Sequence, residues 1–362
     1  METSAIKADI LSAVSGELDT WLAEQSKIKD GLEFEARFME FSRKLSHVIL
    51  LKTLGKQPGS RNKKKLHTLF GKVHLSKKHP LCQHTQRFGI SGKLQEVICL
   101  LAQGQVFEEA EEILKELLGL DISAKQIQRV SEHYGQALEG LEQSYAKGDE
   151  KPPALKLKNP EEPVYIMFDG SMLFMRKEKW KEVKVGRVFT ESACVAIQDG
   201  RREILQSQYV CHLGGHTEFL EKWEAHTESY RNKICIADGA KWIWNWADDY
   251  HPGMVQILDF FHAVQKIGDY AALQYDDKVE RGQWMETQKK RLKDNQVGKV
   301  IEELASHSPK NGDAEKAQTD AIRYYENNRD RMQYKTYLEK GYLIGSACAC
   351  WRACAGRARI VG

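Results

Sequence analysis

Asp169 and Asp238 are the residues around which chemistry can be built. Each follows a short run of β-forming apolar residues, Val164–Phe168 and Lys233–Ala237, and each is followed directly by glycine. Backbone at the end of a buried strand has left the hydrogen-bond ladder, so a side chain there can face a cleft, and the glycine lets a ligand approach closely. If the two strands are neighbours, the carboxylates converge on a hard-oxygen site suited to Mg²⁺ or Mn²⁺ with retained waters. Two such ions roughly 3.5–4 Å apart activate an attacking oxygen and stabilise a leaving one in phosphoryl transfer. Asp-Gly after a strand is also ordinary turn chemistry, and Asp199-Gly200 is assigned to a tight hairpin with no catalytic role. A third strand-like run, Val255–Leu258, ends at Asp259, and the helix that follows carries His262.

The elements that must position these residues read as a mixed α/β sheet. Val164–Phe168, Trp180–Ile197 and Glu203–His212 are strand-rich, Thr217–Tyr230 is helical, and Lys233–Ala237 and Val255–Leu258 are two further short strands. Strands interleaved with helices in this way build such a sheet. Residues 148–163 contain four of the eight prolines, which suits an exposed linker, with a domain boundary near residue 160.

Upstream of the linker the pattern is helical. The first fifty residues place Phe34, Phe38, Phe41, Leu45, Val48 and Ile49 at helical spacing. Residues 1–80 are therefore expected to be a helical and basic N-terminal region, whose basic cluster runs from Arg61 through Lys63, Lys64, Lys65 and Lys72 to Lys77 and Lys78. Such a stretch can sit on phosphates or can be a solvated face. Leu94–Ala102, Phe107–Leu118 and Ala124–Ala137 are three helical stretches within 81–147, and Ser123 is placed to cap the third. That third stretch carries Lys125, Gln126, Gln128, Arg129 and His133. A helix, a tight turn and a polar second helix match a helix-turn-helix that reads the major groove; they match equally a three-helix bundle with polar residues facing water.

Composition narrows the field less. With 54 basic and 51 acidic side chains the net charge of +3 is too small to identify a polyanionic partner. No run of ~18 apolar residues is present to span a bilayer and the first residues lack a secretory leader pattern, so a cytoplasmic protein without a membrane partner is expected. The cysteines lack paired spacing and are expected as free thiols, and His79, Cys82 and His84 lack the second pair that a zinc site needs.

Four stretches, Tyr165–Met172, Trp180–Gly186, Ile236–Ile243 and Ile257–Ala263, resemble in order the core of bacterial insertion-sequence transposases of the Kra and Lre groups, relatives of the Mutator-like elements. The likeness covers roughly residues 164–346, about half the chain. It implies a ribonuclease-H-like core of the DDE class, with Asp169 and Asp238 as the first two ligands of Mg²⁺ or Mn²⁺. It implies that Asp259 and His262, which resemble the Asp/Cys-x-x-His unit of the Mutator relatives, are active-site neighbours that orient DNA or a ligand. It further implies a helical insertion over about 276–339, whose basic and aromatic residues, among them Arg323, Trp284, Tyr324 and Tyr325, either track DNA or form a plain solvated face. The partners implied are double-stranded DNA, both the terminal inverted repeats and the target, and further copies of the chain, on the nucleoid.

The family pattern runs from Gly-Tyr-Leu-Ile-Gly-Ser into Gly-x-x-Glu, the third acid. Here Gly341–Ser346 is followed by Ala347–Cys354, Cys350 occupies the Glu position, and residues 347–362 contain no carboxylate. A thiolate is a soft ligand poorly matched to Mg²⁺. The expectation is a frameshift near codon 347 and a transposase without full catalytic competence. A DNA-binding repressor without chemistry and a two-acid nuclease are the alternatives.

Overall fold

A computed structural model of the chain describes residues 3–55, 63–83, 85, 88–175, 179–198 and 201–345. Two compact units divide between Glu139 and Gly140. The division falls inside a long helix, Ala124–Lys147, rather than in the proline-bearing stretch that follows it.

In the first unit, α1 (Thr3–Gln25) and α2 (Gly31–Leu54) are joined by a short turn. Asp30 starts α2 by accepting from the Glu33 amide, which satisfies one of the helix's unpaired N-terminal donors. The two helices meet through aromatic packing, with Trp21 stacked on Phe41 at 5.1 Å and tilted against Phe34 and Phe38. The basic run, expected within a helical region, forms instead an antiparallel hairpin of β1 (Lys63–Thr68) and β2 (Gly71–Ser76). Its cause is a period of two: Leu66 and Thr68 of β1 and Val73 and Leu75 of β2 face inward, with Leu66 opposite Val73 and Leu75 opposite Lys64, while Lys63, Lys65, His67, Lys72 and His74 occupy the other face. Three helices follow, α3 (Gly92–Ala102), α4 (Phe107–Leu118) and α5 (Ala124–Lys147). They share a core of Leu94, Ile98, Ala110, Leu114, Ile122, Ile127 and Val130. α4 ends on Gly119 at φ 63°, a left-handed cap.

The second unit is an α/β fold built on a five-stranded mixed sheet. Its strands are β3 (Val164–Met175), β4 (Lys179–Thr190), β7 (Gln208–Leu213), β8 (Lys233–Ala237) and β9 (Val255–Leu258), in the order β7-β4-β3-β8-β9. β3, β4 and β7 form an antiparallel meander, and β8 and β9 then run parallel to β3. The run Trp180–Ile197 is not one strand. β4 ends at Thr190, whose hydroxyl accepts from the Ala193 amide to close a 3-10 turn, and β5 (Cys194–Gln198) pairs with β6 (Arg201–Ile204) in a separate small sheet. The Asp199-Gly200 turn expected between them lies outside the described residues.

Helices α6 (His216–Thr227) and α7 (Lys241–Tyr250) bring Phe219, Trp223, Trp242 and Trp246 around the ring of Phe168, all within 5.7 Å. Gly186 of β4 is there for want of room, since a Cβ on it would lie 2.4 Å from the Trp223 ring. Helices α8 (Phe260–Gln274), α9 (Lys278–Lys293), α10 (Val297–Ser306), α11 (Gly312–Asn328) and α12 (Tyr334–Glu339) complete the unit. The Tyr325 hydroxyl ties α11 to α8 by donating to the Ala263 carbonyl at 2.6 Å. No helix among the described residues is long and apolar enough to cross a membrane, and Cys82, Cys99 and Cys235 are free thiols.

Candidate carboxylate site

The sheet register sets three aspartates side by side. Met167 of β3 pairs with Ile236 of β8, so Asp169 and Asp238 each stand two residues beyond that rung. Ala237 pairs with Leu258 of β9, so Asp238 and Asp259 each stand one residue beyond theirs. Neighbouring strands are roughly 4.8 Å apart, which brings the three positions together at the carboxyl edge of the parallel strands. The middle strand, β3, is where the sheet changes from antiparallel to parallel neighbours, and open α/β sheets bind ligands at such edges.

Asp169 is not at a strand end. β3 continues to Met175 along β4, with Asp169 opposite Val185, but its parallel ladder with β8 stops at Met167. The aspartate therefore keeps one neighbour strand and faces the gap left by the other. It is exposed, and its Oδ1 accepts from the Gly170 amide at 2.8 Å. Asp238 does end its strand. Its Oδ1 accepts from the Ala240 amide at 3.0 Å, and its carbonyl accepts from the Tyr324 hydroxyl at 2.6 Å. Gly239 follows at φ 96°, where a side chain is strained and a Cβ would press on Tyr324 at 3.0 Å and Leu258 at 3.1 Å.

Asp259 is buried, 1% exposed, and does structural work: Oδ1 caps α8 by accepting from Phe261 N at 2.7 Å, while its own amide donates to the Ala237 carbonyl at 2.8 Å. His262, one turn along α8, places Nδ1 3.7 Å from Asp259 Oδ2. That is too long for a hydrogen bond, so the contact is electrostatic, and the buried Nδ1 has no hydrogen-bond partner among the described residues. His262 is held above its ordinary range. The polar contact with Asp259 is the largest influence, burial opposes it, and the negative charges of Asp259, Asp238 and Asp169 add to it. All three carboxylates thus act on one imidazole. The Tyr324 phenol is pushed well up by burial and by Asp238 and Asp259, so it remains a donor.

The chain returns to this edge near its end. Leu343 N donates to the Tyr165 hydroxyl at 3.3 Å and Phe260 N to the Ile344 carbonyl at 2.9 Å. A Cβ on Gly345 would lie 3.3 Å from Asp259 Oδ1 and 2.7 Å from the Phe261 ring. Cys350 and the whole of 346–362 lie outside the described residues. Among those described, no three His, Cys, Asp or Glu side chains are grouped so as to hold a metal ion. The donors at hand are the oxygens of two partly open carboxylates, Asp169 and Asp238, which suit a hard divalent cation completed by water.

The other sequence candidates lie in the first unit. Lys63 and Lys65 are exposed on one face of the β1-β2 hairpin with Lys72 and His74, whereas Lys64 points to the opposite side, its ammonium on the Thr85 hydroxyl. The basic face is felt by its neighbour: His67 is lowered by burial first and then by Lys72 and Lys65. On α5, Lys125 and Arg129 are exposed one turn apart. Gln126 turns back to accept from the Ser123 amide at 3.4 Å in a capping-box arrangement, and Gln128 donates to Glu132 at 2.7 Å. The aromatic residues of the 276–339 stretch are packing groups rather than an exposed stacking face. Tyr325 is fully buried, and Trp284 packs on Tyr270 while donating to Glu303 at 2.7 Å.

No protein-family model matches the chain, and no curated protein matches it in sequence.

Proposed function

We propose that the chain is a DNA transposase of the DDE class by descent, with a ribonuclease-H-like core in the second unit and DNA-contacting helices and a basic hairpin in the first. The observation that carries this reading is the alignment of Asp169, Asp238 and Asp259 just beyond the last rungs of the two parallel ladders that join β3, β8 and β9. The three-stranded meander continuing into two parallel strands supports the fold assignment. The α3–α4–α5 core, with Lys125 and Arg129 exposed on the last helix, supports the helix-turn-helix reading.

In this reading Asp169 and Asp238 hold Mg²⁺ or Mn²⁺, which when bound supplies Lewis-acid stabilisation of a reacting phosphate. Asp259 fixes the start of α8 and so the position of His262. His262, kept protonated over a wider pH range by the surrounding carboxylates, offers a positive charge to a phosphate oxygen. Tyr324 clamps the Asp238 backbone. Gly341–Gly345 brings the chain beside Asp259, where the family's third acid would follow; Cys350 stands at that position in this sequence.

The chain as it stands should nick supercoiled DNA little or not at all with Mn²⁺. Replacing residues 347–362 by a family-like helical segment bearing Gly-x-x-Glu should restore nicking, and Asp169→Asn or Asp238→Asn in that repaired chain should remove it. Nicking that survives both substitutions would defeat the proposal.

A further inference from the structure

Beside Asp238, on the side away from Asp169's strand, a cavity of about 530 Å³ opens between α7, α8 and α11. That is within the roughly 300–1,000 Å³ of small-ligand sites. Gly239 forms part of its wall, and the cations Lys241, Lys266, Arg323 and Arg331 line it against two carboxylates, Asp248 and Asp320. Each carboxylate already has an arginine: Asp320 Oδ1 accepts from Arg323 Nη2 at 2.5 Å, and Arg331 Nη2 lies 3.8 Å from Asp248. Arg331 is held further by Gln256 Oε1 at 2.6 Å and by the Trp244 ring at 4.7 Å. Lys241 and Lys266 form no ion pair among the described residues, and both are exposed. Lys266 Nζ stands 5.5 Å over the Tyr324 ring, whose hydroxyl donates to the Asp238 carbonyl.

We propose that this cavity is a phosphodiester subsite for a DNA strand, one that seats a phosphate next to the carboxylate edge. The inference rests on the DNA-processing reading above and adds a site to it. Two uncompensated ammonium groups reach the cavity from different helices, with the Asn245 and Asn327 amides at its rim. That arrangement matches the several oxygens of one phosphate better than a planar carboxylate, which a single arginine fork would satisfy. Tyr324 couples the subsite to the acids mechanically, because one side chain forms the cavity wall and holds the Asp238 backbone. A phosphate bound at Lys266 is therefore registered against Asp238 by a single packed residue.

The test uses the full chain, a fluorescently labelled duplex and anisotropy over a series of salt concentrations. Losing one neutralised phosphate should flatten the slope of log affinity against log salt by about 0.9. K241A/K266A releases the one phosphate that both ammonium groups hold and should therefore flatten it by about 0.9, K241R/K266R should retain the parent slope, and both should melt as the parent does. A double alanine variant that keeps the parent's slope and affinity overturns the subsite while leaving the DNA-processing reading intact. A parent chain that binds no duplex at any salt overturns that reading and the subsite together. Binding of labelled polyglutamate in preference to DNA, abolished in the alanine variant, would assign the cavity to an acidic protein segment and likewise overturn the proposal.

Discussion

Asp259 is the residue at which packing and chemistry are most directly joined, and two substitutions separate its roles. Its Oδ1 caps α8 through Phe261 N at 2.7 Å, and at 1% exposure no water can replace it. Asp259→Ala removes a cap worth about 1 kcal/mol and leaves the partly buried Phe261 amide without that partner, at a cost of about 1–3 kcal/mol. These describe the same hydrogen bond and are not summed, so about 2 kcal/mol is the expected loss. For a unit of this size that is a melting temperature lower by roughly 4–8 °C. Asp259→Asn keeps a capping oxygen and should lose much less, but it removes the largest influence raising His262. A histidine raised above its ordinary 6.5 contributes stability that is complete below its unfolded value and is lost as pH rises through its folded value. The gap in stability between Asp259→Asn and the parent should therefore be wider at about pH 5.5 than at about pH 8.5. The assays are thermal melts of the three proteins at both pH values and an NMR titration of His262, which should move down in Asp259→Asn. Equal melting of Asp259→Ala and the parent would show that the cap does not hold α8, and an unmoved His262 in Asp259→Asn would show that Asp259 does not act on the imidazole.

Three further outcomes are expected. Gly186→Ala should destabilise the second unit by about 1–3 kcal/mol in urea unfolding through overpacking, because its Cβ would lie 2.4 Å from Trp223; a neutral result would mean that α6 shifts freely on the sheet. Tyr324→Phe should cost about 1 kcal/mol through loss of the 2.6 Å bond to the Asp238 carbonyl, and hydrogen exchange should show the Gly239 turn opening more often than in the parent. Lys125→Ala or Arg129→Ala should weaken specific duplex binding by about 1–3 kcal/mol if either makes a base contact; unchanged affinity in a gel shift returns α5 to an ordinary bundle helix.

The strand-end positions of Asp238 and Asp259 were legible because aspartates interrupt short β-forming runs, and the register places both where those runs stop. Asp169 differs because Asp-Gly reads as a turn while Ser171–Met175 still pair with Lys179–Val183 of β4; cross-strand pairing overrode the local signal. The hairpin at Lys63–Ser76 was hidden by its charge. Leu66 and Thr68 alternating against Val73 and Leu75 were the available sign, outweighed by the surrounding lysines. Tyr324 and Tyr325 look alike in sequence, yet one clamps Asp238 and the other is buried on α8. The cavity was beyond reach, since Gly239, Lys266, Arg323 and Arg331 are brought together only by the packing of three helices and the loops beside them.

In the proposed reading Asp169 and Asp238 form one hard-oxygen site, and the decisive experiment is Mn²⁺ binding to the full chain followed by electron paramagnetic resonance. One weakly held Mn²⁺ per chain is expected, since one or two carboxylates with retained waters suffice for a single ion. Asp169→Asn and Asp238→Asn should each abolish it, and Asp313→Asn, at the start of α11, should leave it unchanged. A parent chain that binds no Mn²⁺, or an Asp169→Asn/Asp238→Asn double variant that binds it as the parent does, would rule out a shared carboxylate site.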